Sequence, residues 1–193
     1  SSAVFLVDTS ASRALGLEEQ TKLLGDLVAA LPPASRISVL AFDQSTELVF
    51  EGEASAFGPA AMAKLLARGA LGASNLGLAL KDAAEHAKSR SDSPKRLVLL
   101  SDGVATVGVQ DAASMAAQFE GMSGFPFRRI DAVVVGGLRD AKMLEKIVRG
   151  NLPEDGVVVD GKLELSAIKA RLDRATRSKI DVKVEGATWS YPD

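Results

Sequence analysis

The sequence predicts a three-layer α/β/α domain, a doubly wound and mostly parallel sheet of about six strands with one antiparallel edge. Three observations predict it. Apolar runs of strand length, such as Val4-Phe5-Leu6-Val7 and the segment 96–100, show no alternation and so read as strands buried on both faces. Between such runs lie segments with helical period, long enough to serve as crossovers between parallel strands. One link, Asp43-Gln44-Ser45, is too short for a crossover and implies a hairpin, hence an antiparallel strand at the sheet edge.

Taken in order, the first strand ends at Asp8. Residues 18–31 then place Leu23, Leu24, Leu27, Val28 and Leu31 on one helical stripe, with Glu18 and Glu19 in the first turn, where the helix dipole favours acids. Pro32 and Pro33 end that helix. Strands follow at 36–42 and 46–50, then a short helix at 59–67 and a glycine-containing loop, 68–73, leading to Ser74-Asn75. The next helix has the cleanest pattern in the chain, with Leu76, Ala79, Leu80, Ala83, Ala84 and Ala87 on one face. A fourth strand, 96–100, runs into Ser101-Asp102-Gly103 and repeats the arrangement at the end of the first. A helix at 111–119, a strand at 130–135, a helix at 141–148, a short strand at 156–159 and a helix at 163–174 complete the alternation. From Ile180 the character changes to alternating Ile180, Val182 and Val184, followed by Trp189, Tyr191 and Pro192. The expected division is a domain over 1–178 and a strand or tail over 179–193 leading toward a neighbour. Trp189 and Tyr191 either pack on that neighbour or bind a partner.

Composition narrows the function classes. The chain has 193 residues, 47% hydrophobic and 25% charged, the profile of a soluble globular domain with one core. Its 23 Lys+Arg nearly cancel 25 Asp+Glu, with no long run of one sign, which argues against a nucleic-acid partner. The absence of cysteine excludes disulfides, thiolate metal sites and cysteine nucleophiles. No apolar stretch is long enough to insert into a membrane, and no signal peptide precedes the first strand, so the chain reads as a piece of a longer polypeptide with further domains.

The chemistry gathers at the strand ends. In doubly wound sheets ligands bind outside the carboxyl ends of the strands, where the strand order reverses. Asp8 and Asp102 each stand just past such an end, and neighbouring first and fourth strands would bring them to one crevice. Two carboxylates there repel unless a cation neutralises them. Ser10, Ser12 and Ser74 add hydroxyls, giving an all-oxygen set suited to Mg2+ or Mn2+ in preference to Ca2+.

Asp8-Thr9-Ser10-Ala11-Ser12, Ser74 in Gly72-Ala73-Ser74-Asn75-Leu76, and Asp102 in Ser101-Asp102-Gly103 together resemble the metal-ion-dependent adhesion site of von Willebrand factor type A domains. The resemblance covers about residues 3–174. It looks closest to the subgroup of inter-alpha-trypsin inhibitor heavy chains and VIT-associated bacterial proteins, through Val39-Leu40-Ala41-Phe42-Asp43, Leu100-Ser101-Asp102-Gly103-Val104-Ala105-Thr106 and the tail around Tyr191-Pro192. It implies a strand order 3-2-1-4-5-6 and a non-enzymatic protein-binding module of the secreted or cell-envelope kind. By the same resemblance Ser10, Ser12 and Ser74 reach the metal through hydroxyls, Asp8 and Asp102 act through metal-bound water and hydrogen bonds, and an acidic Asp or Glu of a partner protein completes the shell. Ser74 stands where the family usually has Thr, and Ala11 and Arg13 where it has Gly and often Met. Arg13 puts a cation at the outer edge of the site, either weakening metal binding or preparing the rim for an acidic partner.

Other readings compete. An Mg-dependent phosphatase on this fold needs a second acid two positions after Asp8, where Ser10 stands, and a serine hydrolase needs a histidine base near a nucleophile elbow. A structural scaffold with a vestigial site is the third. His86, beside Glu85 and Lys88, reads as a solvated residue on the outer helix face. Lys95-Arg96 and Arg128-Arg129 read as solvated strand ends, and Phe125 and Phe127, flanking Pro126, as core.

Overall fold

The computed structural model describes residues 2–150, 152–174 and 176. The tail expected over 179–193, with its strand at 180–184 and the roles of Trp189 and Tyr191, lies outside these residues. Six strands form one sheet, β1 (Ser2–Asp8), β2 (Arg36–Phe42), β3 (Thr46–Glu53), β4 (Arg96–Leu100), β5 (Arg129–Val134) and β6 (Val158–Asp160). Their spatial order is β3-β2-β1-β4-β5-β6. All neighbours are parallel except β2 and β3, so the short link at 43–45 does make the antiparallel edge.

The helices are α1 (Leu17–Ala29), α2 (Pro59–Ala67), α3 (Leu76–Ser89), α4 (Ala112–Glu120), α5 (Ala141–Val148) and α6 (Leu165–Leu172). They divide between the two faces of the sheet according to the alternation of strand side chains. Val4 and Leu6 of β1 point into one core with Leu76 and Leu80 of α3, Met115 and Phe119 of α4, and Leu144 and Ile147 of α5. Phe5 and Val7 point into the other, with Leu24 and Val28 of α1, Leu65 of α2 and Ile168 of α6. The continuous apolar runs in the sequence are the signature of this double burial.

Differences from the expected boundaries have local causes. Strand β3 continues three residues beyond Phe50 because Glu51, Gly52 and Glu53 still pair with Ser38, Ile37 and Arg36, after a bulge that shifts the register between Val39 and Leu40. Three acids on this edge strand, Glu47, Glu51 and Glu53, discourage pairing with another chain. Strand β6 starts at Val158 rather than Gly156, because Gly156 is where the incoming chain crosses β5. A Cβ there would lie 1.6 Å from the Ile130 carbonyl oxygen.

Two charge readings are corrected. Arg129 is buried, not solvated, and its Nη2 lies 2.8 Å from the fully buried Asp131, which Arg96 also meets at 2.7 Å. Both guanidinium groups donate to the Leu172 carbonyl, so they cap the last turn of α6 at the amino-terminal edge of the sheet. Lys95 and Arg128 are exposed, as expected. His86 is not on an outer face: its Nε2 lies 2.8 Å from Ser38 Oγ and 3.2 Å from Glu51 Oε2. Arg90 donates to the same Ser38 hydroxyl and pairs with Asp92. Phe125 and Phe127 do pack together, ring centroids 5.5 Å apart, with Phe127 buried.

Candidate functional site

Parallel pairing of β1 with β4 sets Val7 beside Leu100, so the loops that follow emerge side by side at the carboxyl edge. Asp8 and Asp102 are both fully buried there. Asp8 is held on both oxygens: Oδ1 accepts from the Ser10 backbone N–H at 2.9 Å and Oδ2 from the Ser101 hydroxyl at 2.7 Å. Its backbone carbonyl accepts from the Gln20 side chain at 2.7 Å. Burial pushes the Asp8 carboxyl above its ordinary value, opposed by the hydrogen bonds from Ser10 and Ser101 and reinforced by the charge of Asp102. Asp102 accepts from the Val104 N–H through Oδ1 at 2.9 Å, while its Oδ2 is buried and accepts no hydrogen bond.

The hydroxyls come from two loops. Ser10 Oγ and Ser12 Oγ are 3.1 Å apart, Ser10 buried and Ser12 exposed at the mouth. The loop carrying Ser74 is tied to the Ser10 loop by the Ala11 N–H donating to the Gly72 carbonyl at 3.0 Å. It is tied to the loop after β4 by the Ser74 N–H donating to Thr106 Oγ1 at 2.8 Å, and by the Thr106 N–H donating back to the Ser74 carbonyl at 2.9 Å. Gly72 at φ +82° and Gly103 at φ +77° take the left-handed backbone these turns require. The Ser74 hydroxyl is buried without a hydrogen-bond partner.

Buried polar atoms in folded proteins are nearly always satisfied, so two buried oxygens that make no hydrogen bond, Ser74 Oγ and Asp102 Oδ2, the latter with only the Arg13 guanidinium 3.5 Å away, point to a missing partner. The donor set fits a hard divalent cation: carboxylate and hydroxyl oxygens, no sulfur and no imidazole. Among the described residues no group of three or more His, Cys, Asp or Glu is placed to hold a metal ion, so a cation here would rest on hydroxyls and water as well as on acids.

Arg13 is not at the outer edge. It lies on a 3-10 turn, Ala11–Arg13, and is 4% exposed. Its Nη1 donates to the Val135 carbonyl at 2.6 Å, and its Nη2 sits 3.5 Å from Asp102 Oδ2. Residues without a role in the sequence reading also prove structural to the site. Ser101 and Thr106 stood inside the quoted runs, but their contacts cross between loops and carry no local signature. Arg68 reaches Thr9, Glu47 and Asp43 from beyond α2, and nothing in its neighbourhood of sequence announced it. Leu15, Leu71 and Leu138, on the loops around the crevice, are all largely exposed.

A doubly wound sheet of this order, with an Asp-x-Ser-x-Ser loop after its first strand, defines a class, and the comparisons name it. The model of the von Willebrand factor type A domain matches residues 3–104, and the chain belongs to that family. No curated protein matches the sequence. Among solved structures, a von Willebrand factor type A protein from Catenulispora acidiphila is 20% identical at a TM-score of 0.67, over 88% of this chain and 40% of that one. Proximal thread matrix protein 1 from the mussel byssus, with a zinc-occupied MIDAS motif, is 18% identical at a TM-score of 0.63, over 90% of this chain and 47% of that one. BatB from Bacteroides thetaiotaomicron is 15% identical at 0.60, over 88% and 94%. These likenesses establish the fold. The chain spans less than half the length of the first two.

Proposed function

We propose that this chain is a divalent-cation-dependent protein-binding module, with Asp8, Ser10, Ser12, Ser74 and Asp102 holding Mg2+ or Mn2+ and an Asp or Glu of a partner protein completing the shell. The observation that carries the reading is the pair of buried oxygens that make no hydrogen bond, Ser74 Oγ and Asp102 Oδ2, on loops tied to the segment that carries the buried Asp8 and the Ser10–Ser12 hydroxyl pair. When bound, the cation supplies an electrophilic centre that attracts a partner carboxylate.

The chain's own residues do the positioning. With both its oxygens engaged by Ser10 and Ser101, Asp8 orients the loop and adds its charge to the site. Ser12, exposed at the mouth, and the leucines at 15, 71 and 138 offer a partner both a polar approach and apolar contact around it. The reading extends to a domain over 1–178 within a larger polypeptide, in the subgroup of inter-alpha-trypsin inhibitor heavy chains, and to a non-enzymatic role, since Ser10 stands where a phosphatase would carry its second acid.

Titration with MgCl2 or MnCl2 tests it. At a free ion concentration 100 times Kd the ion adds about 2.7 kcal/mol of stability, a rise in Tm of several degrees, and Asp102→Ala abolishes that rise. No heat of binding and no rise in Tm for either ion would reject cation-dependent binding by the native chain.

A further inference from the structure

Arg13 is a chemical anomaly in a cation site. Arginine is almost never fully buried unless paired, and this one places its guanidinium behind the crevice, between the loop after β1 and the end of β5. Space is made for it: Gly136, at φ +107°, follows the carbonyl that Arg13 grips, and a Cβ on it would come within 3.3 Å of Nη2. A second donation, from Nη2 to the Ser12 carbonyl at 3.3 Å, ties the group to the hydroxyl loop itself. Its approach to Asp102 Oδ2, at 3.5 Å, is an ion pair without a hydrogen bond. The guanidinium is thus anchored on backbone carbonyls, and its charge is directed at the carboxylate.

Two buried carboxylates and one buried guanidinium leave the crevice with a formal charge of −1, and a divalent ion would take it to +1. Resting on the cation-site reading, we infer that Arg13 is a resident counter-cation: it neutralises part of the Asp8 and Asp102 charge in the ion-free protein and competes with the divalent ion for Asp102. The site is thereby held folded without metal and set to a weaker affinity than its ligands alone would give. Because the anchors on Val135 and Ser12 do not involve Asp102, the carboxylate can turn from one cation to the other without dismantling the loop.

The test compares Mn2+ binding, by calorimetry and by the loss of the free-ion EPR signal, in the native chain and in Arg13→Met, a neutral side chain of similar reach. Arg13→Met binds Mn2+ more tightly, by at least about tenfold, a lower bound well under what removal of a unit charge a few ångströms away gives at an effective dielectric constant near 20. In EDTA it melts below the native chain, and saturating Mn2+ closes that gap. Arg13→Lys, keeping the charge, binds like the native chain. Arg13→Gln, neutral but able to donate to Val135, carries the same comparison should the Met variant not fold. Equal or weaker Mn2+ binding in the folded neutral variants overturns the counter-cation role and leaves the cation site standing. Binding by the neutral variants alone supports the counter-cation role and overturns cation-dependent function of the native chain, in which Arg13 has displaced the ion. No binding by any of them overturns both.

Discussion

At the scale of single residues, the chain places ionisable groups in its interior and partners them across its strands. His86 is the clearest titrating case. Desolvation pulls its pKa below the ordinary histidine value, the nearby Glu51 and Asp92 charges oppose this, and Arg90 adds to it. A histidine whose folded pKa is depressed is bound in its neutral form, so the unfolded chain takes up the proton first. Stability is therefore expected to be level above about pH 6.5 and to fall as pH drops below it. Urea midpoints measured from pH 8 to 5 should show the decline, and His86→Gln should flatten it across the upper part of that window. Sequence alone put His86 on a wet face because Glu85 and Lys88 are polar. The missing information was long-range: Ser38 and Glu51 come from β2 and β3, about fifty and thirty-five residues away.

At the scale of elements, the strands and helices were legible because their burial pattern is written in their composition, and the site's local half was legible because Asp8, Ser10 and Ser12 sit within five residues. The far edge was not. Asp131 lies inside an apolar run that reads as an ordinary buried strand, yet its Oδ1 accepts from the Val157 N–H at 3.0 Å and both oxygens meet guanidinium groups. This one carboxylate joins β4, β5 and the chain entering β6, and through Arg96 and Arg129 it fixes the carboxyl end of α6. Asp131→Ala would leave Arg129 buried without its partner, at a cost of about 3 to 5 kcal/mol, measurable by chemical denaturation. Asp131→Asn, which retains an acceptor for Val157, should cost less. Arg13 follows the same logic at the opposite edge: a cation beside the Asp-x-Ser-x-Ser loop reads as a rim group until Val135, just past β5, is seen to provide the carbonyl that draws it inside.

At the scale of the whole molecule, the described residues form one sheet with a helical layer on each face, and no helix among them is long and apolar enough to cross a membrane. The ligands proposed for the ion divide across this plan. Asp8, Ser10 and Ser12 follow the central strand, Ser74 precedes α3, and Asp102 follows β4. The bond from Ser101 to Asp8 spans 93 residues. Such a contact has high sequence separation, and its loop-closure entropy must be met before it can form. An unfolded chain, or one with only the β1 to β3 half in place, holds three of the five groups and offers an ion little. The cation would then act as a kinetic lock, fastened after the central strands have docked: stopped-flow measurements should show Mn2+ slowing unfolding while leaving the folding rate nearly unchanged. Pairing of β1 with β4, described above as a matter of register, would thereby set the moment at which the proposed site could first respond to the ion concentration around it.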